Sequence, residues 1–223
     1  MATRTRRSER REEPLSRERI VEAAVELLDR AGESGLTFRA LAERLATGPG
    51  AIYWHVTGKD ELLSAATDAV VAGTVTATAA DATPQQAIRA LALGVFDAVD
   101  AHPWVGTQLA RAPWQSPMLR AFEHLGRQVQ ALGVPDAAQF TSASALMHYI
   151  LGVSNQNAAN TSTFAPDTDR TEFLASTSAA WAGLDPDEYR FIRTVAGQLR
   201  EHDDREEFLA GIDIILAGIT ASR

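Results

Sequence analysis

Cysteine is absent from the 223 residues, which excludes disulfides, thiolate metal sites and cysteine nucleophiles and suits a reducing cytoplasm. No stretch approaches the roughly 20 apolar residues needed to cross a bilayer, and the arginine-rich start, Met1 to Pro14, has no apolar h-region. Neither secretion nor a membrane partner is expected, and a cytoplasmic location is. Lysine is nearly absent too: Lys59 stands alone, and every other basic side chain is arginine. Also missing are a Gly-rich phosphate loop, a His-x-x-x-His or His-Glu-x-x-His zinc pattern and a Gly-x-Ser-x-Gly elbow. His55, His102, His124, His148 and His202 are scattered without metal spacing. No enzymatic activity, metal or cofactor is expected.

What is present is an ordinary globular composition, 45% apolar and 22% charged, which leaves little room for disorder outside the ends. The net charge of -8 looks wrong for a nucleic-acid binder until it is split along the chain. Residues 1–60 balance at +1 and residues 61–223 at -9, and Arg4, Arg6, Arg7, Arg10 and Arg11 against Glu9 give the first eleven residues +4. A neutral-to-basic head can approach phosphate, while an acidic body should not.

Periodicity is helical almost throughout, no two-residue alternation runs long enough for a sheet, and no solenoid repeat is present. Ile20, Ala23, Ala24, Leu27, Leu28 and Ala31 form one apolar stripe, with Ser16 as N-cap and Gly32 as stop. A second helix follows Thr37, with Phe38, Leu41, Ala42 and Leu45 inward. After Ala46-Thr47-Gly48 a short third helix spans Pro49 to Val56, with Ile52 and Val56 inward and Gly50, Ala51, Tyr53, Trp54 and His55 turned away. Lys59-Asp60-Glu61 opens a fourth, carrying Leu62, Leu63, Ala66, Val70 and Val71. Later helices are longer: one from the capping box Thr83-Pro84-Gln85-Gln86, a short one through Trp104, one from Ser116 to Gly133, and an apolar one from Asp136 to about Asn157 containing Phe140, Leu146 and Met147. Asn160 to Asp169 reads as a loop. Helices follow over Thr171–Ala182, from the capping box at Asp185, and through Phe208, Leu209, Ile212, Ile215, Leu216 and Ile219.

Two short helices joined by a three-residue turn, the second exposing aromatic side chains, suggest a helix-turn-helix at residues 37–56, although short helical hairpins are also common in plain α-bundles. Exposed Tyr53, Trp54 and His55 favour a contact surface.

The run Leu36-Thr37-Phe38-Arg39-Ala40-Leu41-Ala42, followed by Ile52-Tyr53-Trp54-His55-Val56 and Gly58-Lys59-Asp60-Glu61-Leu62-Leu63, closely resembles the DNA-binding domain of the TetR family of bacterial repressors over about residues 14–74. Glu207 to Asp213 and the apolar run after it resemble the family's final, dimer-forming helix. The resemblance implies an all-α chain: a basic arm (1–13), an N-terminal three-helix helix-turn-helix domain (14–74), and a larger helical bundle (75–223) for effector binding and dimerisation. It implies that Arg39 reads a guanine, which suits a guanidinium facing O6 and N7. Thr37 and Lys59 would hold phosphates, Pro49, Gly50 and Ala51 would face bases, and Tyr53, Trp54 and His55 would lie along the backbone and thymine methyls. At Pro49, Gly50 and Ala51 the sequence departs from the larger polar side chains of the pattern, so direct hydrogen-bond readout should be sparse. The basic arm is either a solvated tail or a minor-groove arm.

Function by resemblance is a ligand-responsive one-component regulator: a homodimeric repressor on a palindromic double-stranded DNA operator, released by a small-molecule effector of unknown identity. The alternative is a helical binding protein or enzyme whose head serves protein contacts. Asp136–Asn157 and Asp204–Thr220 are either the dimer interface or plain core. A pocket would draw on Trp104, Trp114, Met118, Phe122, His148, Tyr149, Asn155, Gln156 and Trp181, with His148 and Tyr149 expected as a core pair.

Overall fold

The computed structural model describes residues 14–76, 81–111, 116–163 and 169–221, and within them lie eleven α-helices, one 3-10 segment and no strand. The all-α expectation holds. The arm 1–13 and Trp114 lie outside the described residues. Two compact units divide between Ala66 and Thr67.

In the first unit, α1 (Arg17–Gly35) is capped by Ser16, whose hydroxyl accepts from Arg19 N at 3.3 Å. Ile20, Val21, Ala23, Ala24 and Leu28 bury its inner face. Gly32 adopts φ +61°, where glycine alone carries no Cβ penalty, and interrupts the helix as the stop signal implied. Ala31, placed on the stripe by period, is exposed beside that break. Helix α2 (Phe38–Arg44) starts on Thr37, whose hydroxyl accepts from Ala40 N at 3.1 Å, and buries Leu41 and Ala42.

Helix α3 covers only Pro49–Ile52. The expected extension to Val56 is instead a turn in which His55 N and Val56 N bond back to the Ile52 carbonyl at 2.9 and 3.1 Å. Four residues that include Pro and Gly cannot propagate a helix by themselves; burial of Ile52 and Val56, both at most 1% exposed, decides the path instead. Helix α4 (Lys59–Thr76) buries Leu62, Leu63 and Ala66 on the first unit's side of the division.

The second unit contains α5 (Pro84–Ala101), α6 (Pro103–Arg111), α7 (Ser116–Ala131), α8 (Asp136–Thr163), α9 (Arg170–Ala182), α10 (Arg190–Val195), the 3-10 segment Ala196–Glu201 and α11 (Asp204–Ala221). Thr83 and Gln86 close the expected capping box, with bonds of 3.3 and 2.8 Å. Helix α8 is the centre, and α5, α6, α7 and α11 all pack on it. Leu91, Val95 and Val99 of α5, Leu125 and Val129 of α7, Leu146 and Ile150 of α8, and Phe208, Ile212 and Leu216 of α11 are buried, each contributing about 1.5–3 kcal/mol of transfer free energy.

Three expectations change here. Helix α8 runs through Asn160 to Thr163, where a loop was expected, because Asn, Ser and Thr slow an established helix far less than Pro or Gly would. Asp185 heads a turn rather than a helix: its carboxylate accepts from Asp187 N and Glu188 N at 2.9 and 3.2 Å, and helix resumes only at Arg190. Phe140 lies outside the core, meeting Phe122 edge-to-face at 6.0 Å.

Candidate nucleic-acid interface and cavities

Among the described arginines of the first unit, Arg39 stands free on the helix-turn-helix itself. Arg17 pairs with Glu61 at 2.6 Å and Arg44 pairs with Glu26. Arg39, exposed on α2, makes no hydrogen bond or ion pair among the described residues. Its guanidinium is therefore available for a bidentate acceptor such as a guanine edge or a phosphate. Thr37 accepts through its hydroxyl as the N-cap and keeps that group's own proton to donate outward.

The turn after α3 carries the aromatic surface. Trp54 is 88% exposed and Tyr53 55%. Tyr53, turned away as its period implies, is not a contact surface alone: its ring stacks on Phe38 at 4.4 Å and 8°, joining the two helices of the motif. Phe38 is consequently half-buried rather than fully inward. Pro49 and Gly50 are exposed, Ala51 is half-exposed, and a Cβ added at Gly50 would meet nothing within 4 Å. The first turn is thus smooth and open to the outside, with no polar side chain of its own.

Further hydrogen bonds hold this surface. Arg17 Nη1 donates to the His55 carbonyl at 3.0 Å as well as to Glu61 Oε1, and Glu61 Oε2 accepts from Thr57 N and Oγ1, both at 2.7 Å. These bonds, Thr57's first and Arg17's next, hold the Glu61 carboxyl down to a pKa of about 2. Lys59 Nζ donates to the Glu33 carbonyl at 2.6 Å, which holds the ammonium at the start of α4 with donors to spare. Arg17 and Glu61 stand 44 positions apart, so no local pattern could have paired them.

In the second unit the nine proposed pocket residues separate, Trp114 lying outside the described residues. Trp104 and Met118 are buried, Phe122 is half-buried, and Asn155 donates to the Leu151 carbonyl at 2.8 Å with its amide against Gly106. His148 and Tyr149 are not a core pair: successive helical positions diverge, so His148 is exposed while Tyr149 turns in, donating to the Phe208 carbonyl at 3.2 Å and stacking on that ring at 5.7 Å. Burial, then the Glu207 charge, raises the Tyr149 pKa.

Tyr149 and Gln156 line a cavity of about 230 Å³ with Phe96, Val153, Glu207 and Phe208. Trp181 lines a second of about 480 Å³ with Arg170, Phe173, Leu174 and Thr177. Both share Asn157, Asn160, His202 and Asp204. The shared wall is polar: Asp204 meets His202 Nε2 at 3.0 Å and, on the side of the larger cavity, Arg170 at 2.6 Å. Arg170, His202 and Asp204 went unrecognised in the sequence because the turn at Asp185 and the 3-10 segment hide how α9 returns to α11.

His124, which has no metal spacing in the sequence, lies on α7. Its Nε2 is the one buried side-chain nitrogen or oxygen without a hydrogen-bond partner among the described residues. Burial, then Arg127, lowers its pKa. No group of acidic, histidine or cysteine residues able to hold a metal occurs among the described residues, and no described helix is long and apolar enough to cross a membrane.

Comparison with known proteins bears on both units. The family described as bacterial regulatory proteins, tetR family, matches residues 20–66, and the tetracyclin repressor-like C-terminal domain matches residues 78–223. An HTH-type transcriptional regulator of Saccharopolyspora erythraea is 32% identical over 139 residues, 62% of this chain and 59% of that protein, so the match spans about three fifths of the relative's length. The class C tetracycline repressor protein of Escherichia coli is 46% identical over 57 residues, 26% of each chain. Among solved structures, the transcriptional regulator SCO7222, a TetR from Streptomyces coelicolor, is 66% identical with a TM-score of 0.87, over 94% of this chain and 99% of that one.

Proposed function

The chain belongs to the TetR family of bacterial regulatory proteins, and from that premise we propose that it is a ligand-responsive transcriptional repressor acting as a homodimer on a palindromic operator. The observation that carries this reading is the first unit's outer surface: unpaired Arg39, the Thr37 hydroxyl, and exposed Trp54 on a smooth first turn, all above a closed core. Arg39 supplies the base contact, Thr37 and Lys59 hold phosphates, Pro49, Gly50 and Ala51 permit close approach, and Tyr53, Trp54 and His55 run along the backbone.

Dimerisation has its own support in α8 and α11. Each carries a mostly small or apolar, uncharged stripe on its outer side as well as an apolar inner one, with His148 the polar exception. Thr141, Ala145, His148 and Gly152 form an exposed stripe on α8, and Ala210, Ile214, Ala217 and Ala221 form one on α11. A helix apolar on both sides is stable when both are covered, and a second copy covers the outer one. Two copies also place two recognition helices on successive major grooves, about 34–36 Å apart. An effector entering the second unit shifts the population toward a form whose recognition helices are wrongly spaced, and operator affinity falls by its differential affinity for the two forms. The adjoining cavities by Tyr149, Gln156 and Trp181 are candidate places for it, and His124 offers a polar contact elsewhere in the unit.

A salt-dependent gel-shift titration on the DNA upstream of the protein's own gene tests the reading. Tight, sequence-dependent binding is expected; weak binding indifferent to sequence and to Arg39→Ala contradicts it.

A further inference from the structure

The DNA-reading turn is not self-supporting. Helix α3 has four residues, including Pro49 and Gly50, too few for backbone bonds alone to hold a fixed surface. Phe38 braces the turn from the α2 side through Tyr53. At its downstream end, Arg17 Nη1 on α1 reaches the His55 carbonyl at 3.0 Å, and Glu61 in the first turn of α4 engages Arg17 through one oxygen and Thr57 N and Oγ1 through the other.

We propose that Glu61 and Arg17 are positioning residues for operator recognition: Glu61 orients Arg17, Arg17 holds the His55 carbonyl, and the turn carrying Tyr53 and Trp54 is thereby held in register for DNA. This rests on the DNA-binding function proposed above. Neither residue needs to touch DNA. Arg17 is a surface arginine on a DNA-binding head, so the competing role is a phosphate contact. Nη1 is spent on a carboxylate and a carbonyl while Nη2 and Nε keep their donors, so the salt dependence of binding separates the two roles. Glu61 argues for positioning. An exposed carboxylate on such a surface opposes phosphate binding, yet both of its oxygens are engaged internally and its ionised form is strongly favoured.

Charge and geometry therefore predict opposite signs for Glu61→Gln. Removing a negative charge alone tightens binding to every DNA. Releasing the turn weakens binding only where sequence is read. The experiment measures dissociation constants against two duplexes of equal length, one selected by the wild-type protein from a random pool and one of mixed sequence, across a salt series, with a thermal melt of each variant. For Glu61→Gln the selected duplex is expected to lose about tenfold or more, the scale of one base contact, while the mixed duplex binds as well as before or better. Arg17→Lys, which keeps the charge, should lose selectivity in the same way with an unchanged salt slope. The Glu61→Gln/Arg17→Lys double variant should lose little more than either alone.

Equal shifts on both duplexes, or a salt slope shallower by about 0.9 in Arg17→Gln, which removes the charge and would carry the signature of one lost phosphate contact, overturns the proposal. If Glu61→Gln does not fold, Thr57→Val removes one hydroxyl donor and is expected to lower selectivity by about two- to threefold; unchanged selectivity in that variant overturns it. Wild-type protein without preference for any pool sequence fails at an earlier point, because it refutes DNA reading itself rather than the positioning of the turn.

Discussion

Gly211 on α11 lies where Tyr149 of α8 crosses it. A Cβ there would overlap the Tyr149 hydroxyl and Cζ and stand 3.0 Å from Cε2. Tyr149 cannot yield without losing its bond to the Phe208 carbonyl and its stack on that ring. The bond is worth about 0.5–1.5 kcal/mol, the ring pair about as much, and forcing atoms into a packed contact costs about 1–3 kcal/mol. Alanine returns about 1 kcal/mol of helix propensity over glycine. Gly211→Ala should therefore destabilise by about 3 kcal/mol, a fall in Tm of about 6–12 °C for a chain of this size. In a Tyr149→Ala background the obstacle is gone and only propensity remains, so the same substitution should raise Tm by about 2–4 °C. Calorimetry on the four proteins gives the answer. An equal effect of Gly211→Ala in both backgrounds would show that the Tyr149 contact does not govern this crossing.

Other substitutions separate fold from function. Gly50→Ala meets no protein atom within 4 Å, so it should leave stability unchanged or raise it by up to about 1 kcal/mol while weakening operator binding in a gel shift; unaltered affinity would place that turn away from DNA. Ile214→Arg, on the exposed stripe of α11, should yield monomers in sedimentation velocity, and a persistent dimer would exclude this face as the interface. For His124 the folded pKa lies below the ordinary 6.5 because burial disfavours the charged ring. Folding thus favours the neutral form, and the resulting stability is present above pH 6.5 and lost as pH falls through the lowered value. His124→Leu should flatten the fall in Tm between pH 7 and 5; parallel curves for the two proteins would refute this.

Local chemistry in the sequence was enough to place most helix starts. Ser16, Thr37 and Thr83 each cap the helix they precede, because capping needs only residues within one turn. The two short helices of the motif start at the cap and the proline that announce them, whereas the role given to Arg39 comes from the family resemblance and not from spacing. What failed was whatever depends on distant packing. The period turned Tyr53 outward correctly but could not reveal Phe38 beneath it. His148 and Tyr149 sit on one apolar helix, and only the path of α11 decides which of them is covered. The Asp185 box has the residues of an N-cap, yet a single turn satisfies its carboxylate and the helix waits until Arg190. The cavity wall of Arg170, His202 and Asp204 joins elements separated by that same misread turn.

The central claim is that Arg39 reads sequence while Lys59 holds a phosphate. Competition binding with wild-type, Arg39→Ala and Lys59→Ala proteins, each on the selected operator and on single-base variants of it across a salt series, tests it directly. Lys59→Ala should weaken every duplex alike and make the salt slope shallower by about 0.9, whereas Arg39→Ala should remove about 1–3 kcal/mol of discrimination at one base position. Undiminished discrimination at every position without Arg39 would contradict it.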